Sequence, residues 1–177
     1  MEHNLTDKLW LFLASWFDFN SRFSWKNIGA MPDDPRLHYN RRWMEKCIGN
    51  QKEKRKLYDA LQSFKRREFL QEKVFDNSKG YILSPKGKIK ILRLKIKHLN
   101  RKKLKDKNWL MVLFDIPERS RKARDIFRQI LHELGFEQLQ KSVWVTPYDV
   151  VDELKEAIEN CQLEKYAKFL LVKEIRK

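Results

Sequence analysis

Apolar residues recur along this chain in two rhythms, and the change of rhythm divides it. Near the start, Leu5, Leu9, Phe12 and Trp16 fall at helical spacing, with Leu13 and Phe17 widening the stripe, which predicts a helix over 5–19. Thr6 and Asp7 are suitable start residues. Residues 20–40 carry no regular pattern. Gly29, Pro32, Asp33, Asp34 and Pro35 break it, and Phe23 and Trp25 pin the stretch to a core, so it reads as an inserted loop. A short helix over 40–48 with Arg41, Arg42 and Lys46 follows. Lys52 to Arg67 then reads as a helix with Leu57, Leu61 and Phe64 facing inward. Phe69 to Phe75 reads as a strand, Asn77 to Gly80 as a turn, and Tyr81 to Ser84 as the returning strand. Pro85 opens a further helix with Ile89, Leu92, Ile96 and Leu99 on one side.

The second half is clearer. Trp109 to Phe114 is an unbroken apolar run that stops at Asp115 and Pro117, the pattern of a strand buried on both faces. Glu118 to Leu134 reads as a helix with Ala123, Ile126, Phe127, Ile130, Leu131 and Leu134 on one face, stopped by Gly135. Short strands over 136–140 and 142–146 flank a tight turn at Gln140–Lys141–Ser142. A helix over Tyr148–Cys161 is expected to be capped by Asp149, with Val151, Leu154, Ile158 and Cys161 inward. Lys168 to Val172 reads as a last buried strand. The order strand-helix-strand-strand-helix-strand is ferredoxin-like. The predicted fold class is therefore α+β: an N-terminal winged helix-turn-helix domain over 1–99, a basic linker over 100–107, and a ferredoxin-like (βαββαβ) domain over 108–177.

Charge adds a location to this outline. The chain has 177 residues and a formal net charge of +15. Residues 1–107 hold 27 Lys or Arg against 12 Asp or Glu, whereas residues 108–177 hold 12 of each. The step suggests a domain boundary near residue 107 and assigns polyanion contact to the first part. A hydrophobic content of 42% supports packed cores, and no apolar run is long enough to span a membrane. No signal-peptide pattern appears at the N-terminus, so a cytoplasmic location is expected. Cys47 and Cys161 have no partner spacing and read as reduced, core-type thiols.

Helix, hairpin, helix is the order of a winged helix, in which a helix enters the major groove and a wing follows the backbone. On that reading Arg55, Gln62 and Arg66 share the outward helix face and are candidates for base contact. Lys52, Lys54 and Lys56 crowd the helix start, where cations oppose the macrodipole and a phosphate partner would explain them. Lys73 and Lys79 lie on the wing as phosphate contacts. Arg101 to Lys107 reads as a basic hinge that can also follow a phosphate backbone. The helix before it, basic around its apolar seam, reads as the closing helix of the winged domain, with dimerisation or membrane-surface binding as alternatives.

Two stretches carry a family resemblance. The run Phe114-Asp-Ile-Pro-Glu118, with Trp109, Arg121, Arg124, Gly135–Phe136 and Val143–Trp144–Val–x–Pro147, resembles the Cas-two-like domain of PaaX-type repressors of phenylacetate degradation. The pattern Leu57–Tyr58–x–Ala60–Leu61–x–x–Phe64, then Phe69–Leu70 and Gly80–Tyr81–x–Leu83–Ser84–x–x–Gly87, resembles a recognition helix and wing. The core is also similar to the small CRISPR adaptation subunit of the Cas-two family. That likeness implies a homodimer in which an acid at the end of the first strand, here Asp115, can help hold a divalent metal.

The resulting expectation is a DNA-binding transcriptional regulator that contacts double-stranded DNA through its winged helix and forms a homodimer through its second domain. It would use no cofactor and would not be an enzyme. The alternative is a CRISPR adaptation subunit, partner of an integrase, or a magnesium-dependent endonuclease with Asp115 as metal ligand and catalytic acid.

Overall fold

A computed structural model describes residues 9–10, 12–13, 42, 45–46, 49–75 and 78–173. Two compact units divide the chain, residues 1–91 and 92–177. Of the expected N-terminal helix, Leu9, Trp10, Phe12 and Leu13 are helical and buried. The remainder of that helix and the 20–40 loop lie outside the described residues.

In the first unit, helix α1 spans Gln51–Arg66. Asn50 caps it, its Oδ1 accepting from the N–H groups of Lys52 at 3.0 Å and Glu53 at 3.3 Å. The expected inward residues Leu57, Leu61 and Phe64 are buried. Trp10 stacks on Phe64 at 4.2 Å and meets Phe69 edge-on at 5.1 Å, so three aromatic rings anchor this small core. Glu68 ends α1 in the left-handed region at φ 61, and the Phe69 N–H donates back to the Phe64 carbonyl at 2.9 Å. Strands β1 (Leu70–Phe75) and β2 (Ser78–Leu83) form an antiparallel hairpin.

The hairpin corrects one expectation. Phe75 pairs with Ser78 and Lys73 with Gly80, so Ser78, Lys79 and Gly80 belong to a strand rather than to the turn. Backbone pairing has overridden the local glycine signal.

Helix α2 (Pro85–Lys97) starts from a fixed corner. Ser84 is buried; its Oγ accepts from the Gly87 N–H at 3.0 Å and donates to the Glu68 carbonyl at 2.5 Å. A Cβ at Gly87 would collide with the Phe69 carbonyl, so only glycine lets the helix approach the α1–β1 turn this closely. Ile91, Leu92 and Ile96 are the buried residues of α2's apolar side, whereas Ile89 is only half-buried and Leu99 lies beyond the helix end.

The second unit is a four-stranded antiparallel sheet of order β4-β5-β3-β6, with β3 (Trp109–Phe114), β4 (Glu137–Gln140), β5 (Val143–Thr146) and β6 (Ala167–Val172). Helices α3 (Arg121–Leu134) and α4 (Val151–Asn160) complete the ferredoxin-like order. Leu110, Val112, Phe114 and Trp144 pack toward the helices, with Phe114 edge-on to Phe127 at 5.4 Å and Trp144 edge-on to His132 at 4.7 Å. Phe127, Ile130, Leu131 and Leu134 form the buried side of α3. Gly135 ends α3 at φ 87, and a Cβ there would lie 2.9 Å from Arg101 Nη1 and 3.2 Å from the Tyr148 ring.

Here the apolar runs misled in an instructive way. β3 is not buried on both faces: burial alternates, with Trp109, Met111 and Leu113 half-exposed. Its neighbours are antiparallel and its helices lie on one side, so the other face stays partly open. β6 is not a buried strand but a sheet edge, and Leu170 and Leu171 are 52% and 62% exposed. Asp149 does not cap α4. The helix begins after Val150, and the Asp149 N–H donates to the Lys102 carbonyl at 2.8 Å.

That last bond is one of two joining residues 102–104 to 147–149; the other is the Leu104 N–H to the Pro147 carbonyl at 2.8 Å, and together they make an antiparallel bridge between Lys103 and Tyr148. The division between units falls at Ile91–Leu92, before the expected end at 99. Residues 100–107 accordingly lie within the second unit. The charge step at 107 and the contact boundary do not coincide.

Candidate nucleic-acid interface

Helix α1 displays two opposite chemistries. Three large apolar side chains occupy one face, and Arg55 and Arg66 are exposed on the other, with Gln62 half-buried between them. Residues 55, 62 and 66 are seven and four apart, spacings that keep them in one row along a helix. One acid, Asp59, lies close to the same row. A helix 16 residues long reaches about 24 Å, enough to lie in a major groove and present several side chains to base edges.

Not every cation around α1 is free to meet a phosphate. Lys56 pairs with Glu53 at 2.8 Å, and that bond holds the Glu53 carboxyl below the usual carboxylate range. Lys65 pairs with Glu72 on β1, which holds its ammonium above the usual lysine range. Both pairs sit at the solvent boundary and tie side chains locally rather than stabilising the unit by much. Lys54, Arg55 and Arg66 are exposed with no hydrogen-bond or ion-pair partner among the described residues, and Lys52, exposed likewise, adds its charge to that of Lys56 beside Glu53. Lys52 and Lys54 stand in the first turn, where the backbone N–H groups already supply positive potential, so helix stability does not account for them.

The hairpin brings Lys73 to the surface on β1; Lys79 is placed on β2, opposite Val74. Two features beside these cations escaped the sequence reading. Tyr58 is 52% exposed, one turn after Lys54 and one before Gln62, and Val74 on the hairpin is 72% exposed. An aromatic at helical spacing reads as core by default, and only its distance from the Leu57–Leu61–Phe64 row could have set Tyr58 apart.

Asp115 leaves the sheet at the end of β3. Its N–H donates to the Tyr166 carbonyl at 2.9 Å and its side chain is exposed. The hollow beside it, about 350 Å³, is walled by Leu113, Phe114, Ser142, Val143, Tyr166 and Lys168. Among the described residues no group of three or more His, Cys, Asp or Glu comes together to hold a metal. Asp115 shares that wall with Lys168, so a divalent ion here would take most of its oxygen ligands from water or, as the resemblance implies, from the Asp115 of a second copy. The arginines of the resembling run are structural. Arg124 donates to the Ile116 carbonyl at 3.2 Å and to Glu118 at 2.7 Å, holding the Glu118 carboxyl below its ordinary range. Arg121 lies 3.9 Å from both Glu118 and Asp125. Arg124 fixes the turn that leads from β3 into α3.

No helix among the described residues is long and apolar enough to cross a membrane. Residues 102–177 match the family model described as the PaaX protein central Cas2-like domain. No curated protein and no solved structure matches the chain significantly.

Proposed function

We propose, from the premise that residues 102–177 are a PaaX-type Cas2-like domain, that this protein is a DNA-binding transcriptional regulator. The observation that carries the proposal is the outward face of α1, where Lys52, Arg55 and Arg66 stand exposed opposite a buried apolar face, with Lys54 exposed at its flank in the first turn. Helix α1, the β1–β2 hairpin and α2 act as recognition helix, wing and supporting helix of a winged helix-turn-helix. Arg55, Gln62 and Arg66 read base edges, each good bidentate pair giving about 1–3 kcal/mol of discrimination. Lys52, Lys54, Lys73 and Lys79 hold phosphates, which fixes register without reading sequence.

The second unit makes the chain a homodimer. An edge strand with two exposed leucines is the surface that supports this reading, because an unpaired edge gains hydrogen bonds and buries apolar area when a second copy adds to it. Two winged helices on one duplex then favour a pseudo-palindromic site.

Selection of bound sequences from random duplex DNA, run with and without magnesium, tests the proposal. A recurring inverted repeat, bound equally in both conditions, is expected. Magnesium-dependent cleavage by the wild type that Asp115→Asn abolishes would instead make the protein a nuclease.

A further inference from the structure

The positive charge of this chain is not confined to the unit that carries α1. Residues 92–107 belong to the second unit and hold eight Lys or Arg against one acid, Asp106. Three of the eight are committed to their own unit. Arg93 pairs with Glu133 at 3.4 Å, Lys95 with Glu156 at 3.3 Å, and Arg101 donates to the Glu133 carbonyl at 3.0 Å. Lys102, Lys103, Lys105 and Lys107 behave differently: all four are exposed and none has a partner among the described residues.

These four lysines sit on a fixed backbone. The bonds from 102–104 to 147–149 fasten the start of the segment to the strand-to-helix corner after β5. Lys105–Asn108 then makes one tight turn, closed by the Asn108 N–H donating to the Lys105 carbonyl at 3.1 Å. Asp106 and Lys107 both take the left-handed conformation, at φ 57 and φ 53, which non-glycine residues adopt only when their surroundings impose it. Beyond this segment the unit is electrically neutral, and several of its cations are paired, among them Arg121, Arg124 and Lys155. Four lysines against the single acid Asp106 within six residues leave an excess of like charge that gains most from a closely spaced row of anions. A duplex backbone carries one negative charge for about every 1.7 Å of axis.

We infer that Lys102, Lys103, Lys105 and Lys107 form a second, sequence-independent contact for the phosphate backbone of duplex DNA, carried by the Cas2-like unit itself. This rests on the DNA-binding reading of the first unit but does not follow from it, since α1 and the hairpin supply no residue to it. The contact adds affinity and salt dependence; it adds no base discrimination.

The test uses the full-length chain and a duplex selected by the wild type. In the rim variant Lys102, Lys103, Lys105 and Lys107 are all changed to glutamine. In the control variant Lys122, Lys141, Lys155 and Lys165, exposed elsewhere on the same unit, are changed likewise. Circular dichroism confirms that both fold. Each phosphate contact contributes about 0.9 to the slope of log K against log salt, so the rim variant should lose roughly 3 to 4 from that slope. The control should lose almost nothing, and the ratio of affinities for selected and scrambled duplexes should stay constant in both. A rim variant that keeps the parental slope, or a control that loses as much as the rim, overturns the inference while the first unit's role stands. A parent chain that binds no duplex overturns both.

Discussion

Replacing Ser84 by alanine isolates one corner of the first unit. The hydroxyl caps α2 through the Gly87 N–H and donates to the Glu68 carbonyl, and the residue is buried. Removing a serine cap costs about 1 kcal/mol. The orphaned Glu68 carbonyl adds about 1 kcal/mol, at the low end for a buried group because Glu68 itself is exposed. Ser84→Ala should therefore destabilise the first unit by about 2 kcal/mol. Ser120 provides the matched control: it too precedes a helix, yet its side chain makes no capping bond. Ser120→Ala should change stability by less than about 0.5 kcal/mol. Equilibrium urea unfolding followed by far-ultraviolet circular dichroism measures both. Equal losses for the two serines, or a Ser84→Ala loss below about 0.5 kcal/mol, would refute the cap as the source of stability.

Arg55→Ala and Arg66→Ala should relax sequence preference in a duplex-selection assay, whereas Lys73→Ala should weaken all duplexes alike; the reverse pattern would remove α1 from the groove. Leu171→Lys should convert a homodimer to a monomer at tens of micromolar by light scattering without changing the melting of the second unit, and an unaltered mass would discount the β6 edge. Gly135→Ala should cost about 1–2 kcal/mol, because φ 87 strains any Cβ and Tyr148 lies against it. Burial pushes the Cys161 thiol up from 9.0 to about 11, so the unfolded chain releases that proton first. Stability should then fall as pH rises between those values, by at most about 1.4 kcal/mol per pH unit. Urea midpoints at pH 8 and pH 10 check this, and Cys161→Ala should flatten the difference.

What the sequence revealed depended on how local the controlling physics was. The inward row of α1, the α3 face and the Gly135 stop were legible because 3.6-residue periodicity and a left-handed cap are set within a few residues. The burial of β3 and β6 was not. Both are apolar runs of six residues, and only the strand order shows that β3 is central with one open face and β6 lies at an edge. Asp149 looked like a cap from its position alone. Its backbone is taken by Lys102, a partner 47 positions away that no local pattern announces. Of the candidate site, the outward row and the clustered lysines were visible as composition. Which cations were free was not, since Lys56 and Lys65 lose that freedom to Glu53 and Glu72. The charge step at 107 was legible as composition, whereas the division at Ile91–Leu92 follows contacts that composition does not announce.

The two edges of the second sheet are unequal, and the inequality governs what kind of object the chain can build. β4 is four residues long and its pairing with β5 is irregular between Gln138 and Gln140, two features that discourage a newcomer strand. β6 is six residues long, regular throughout its pairing with β3, and apolar at Leu170 and Leu171. Joining unlike edges, β6 to β4, would be a head-to-tail operation that repeats without end and produces a fibre. Joining like edges, β6 to β6, is a two-fold operation that satisfies itself after one addition. Among the described residues one edge is blunted and the other open, so the proposed homodimer, if it forms through β6, would close at two subunits rather than grow into a polymer.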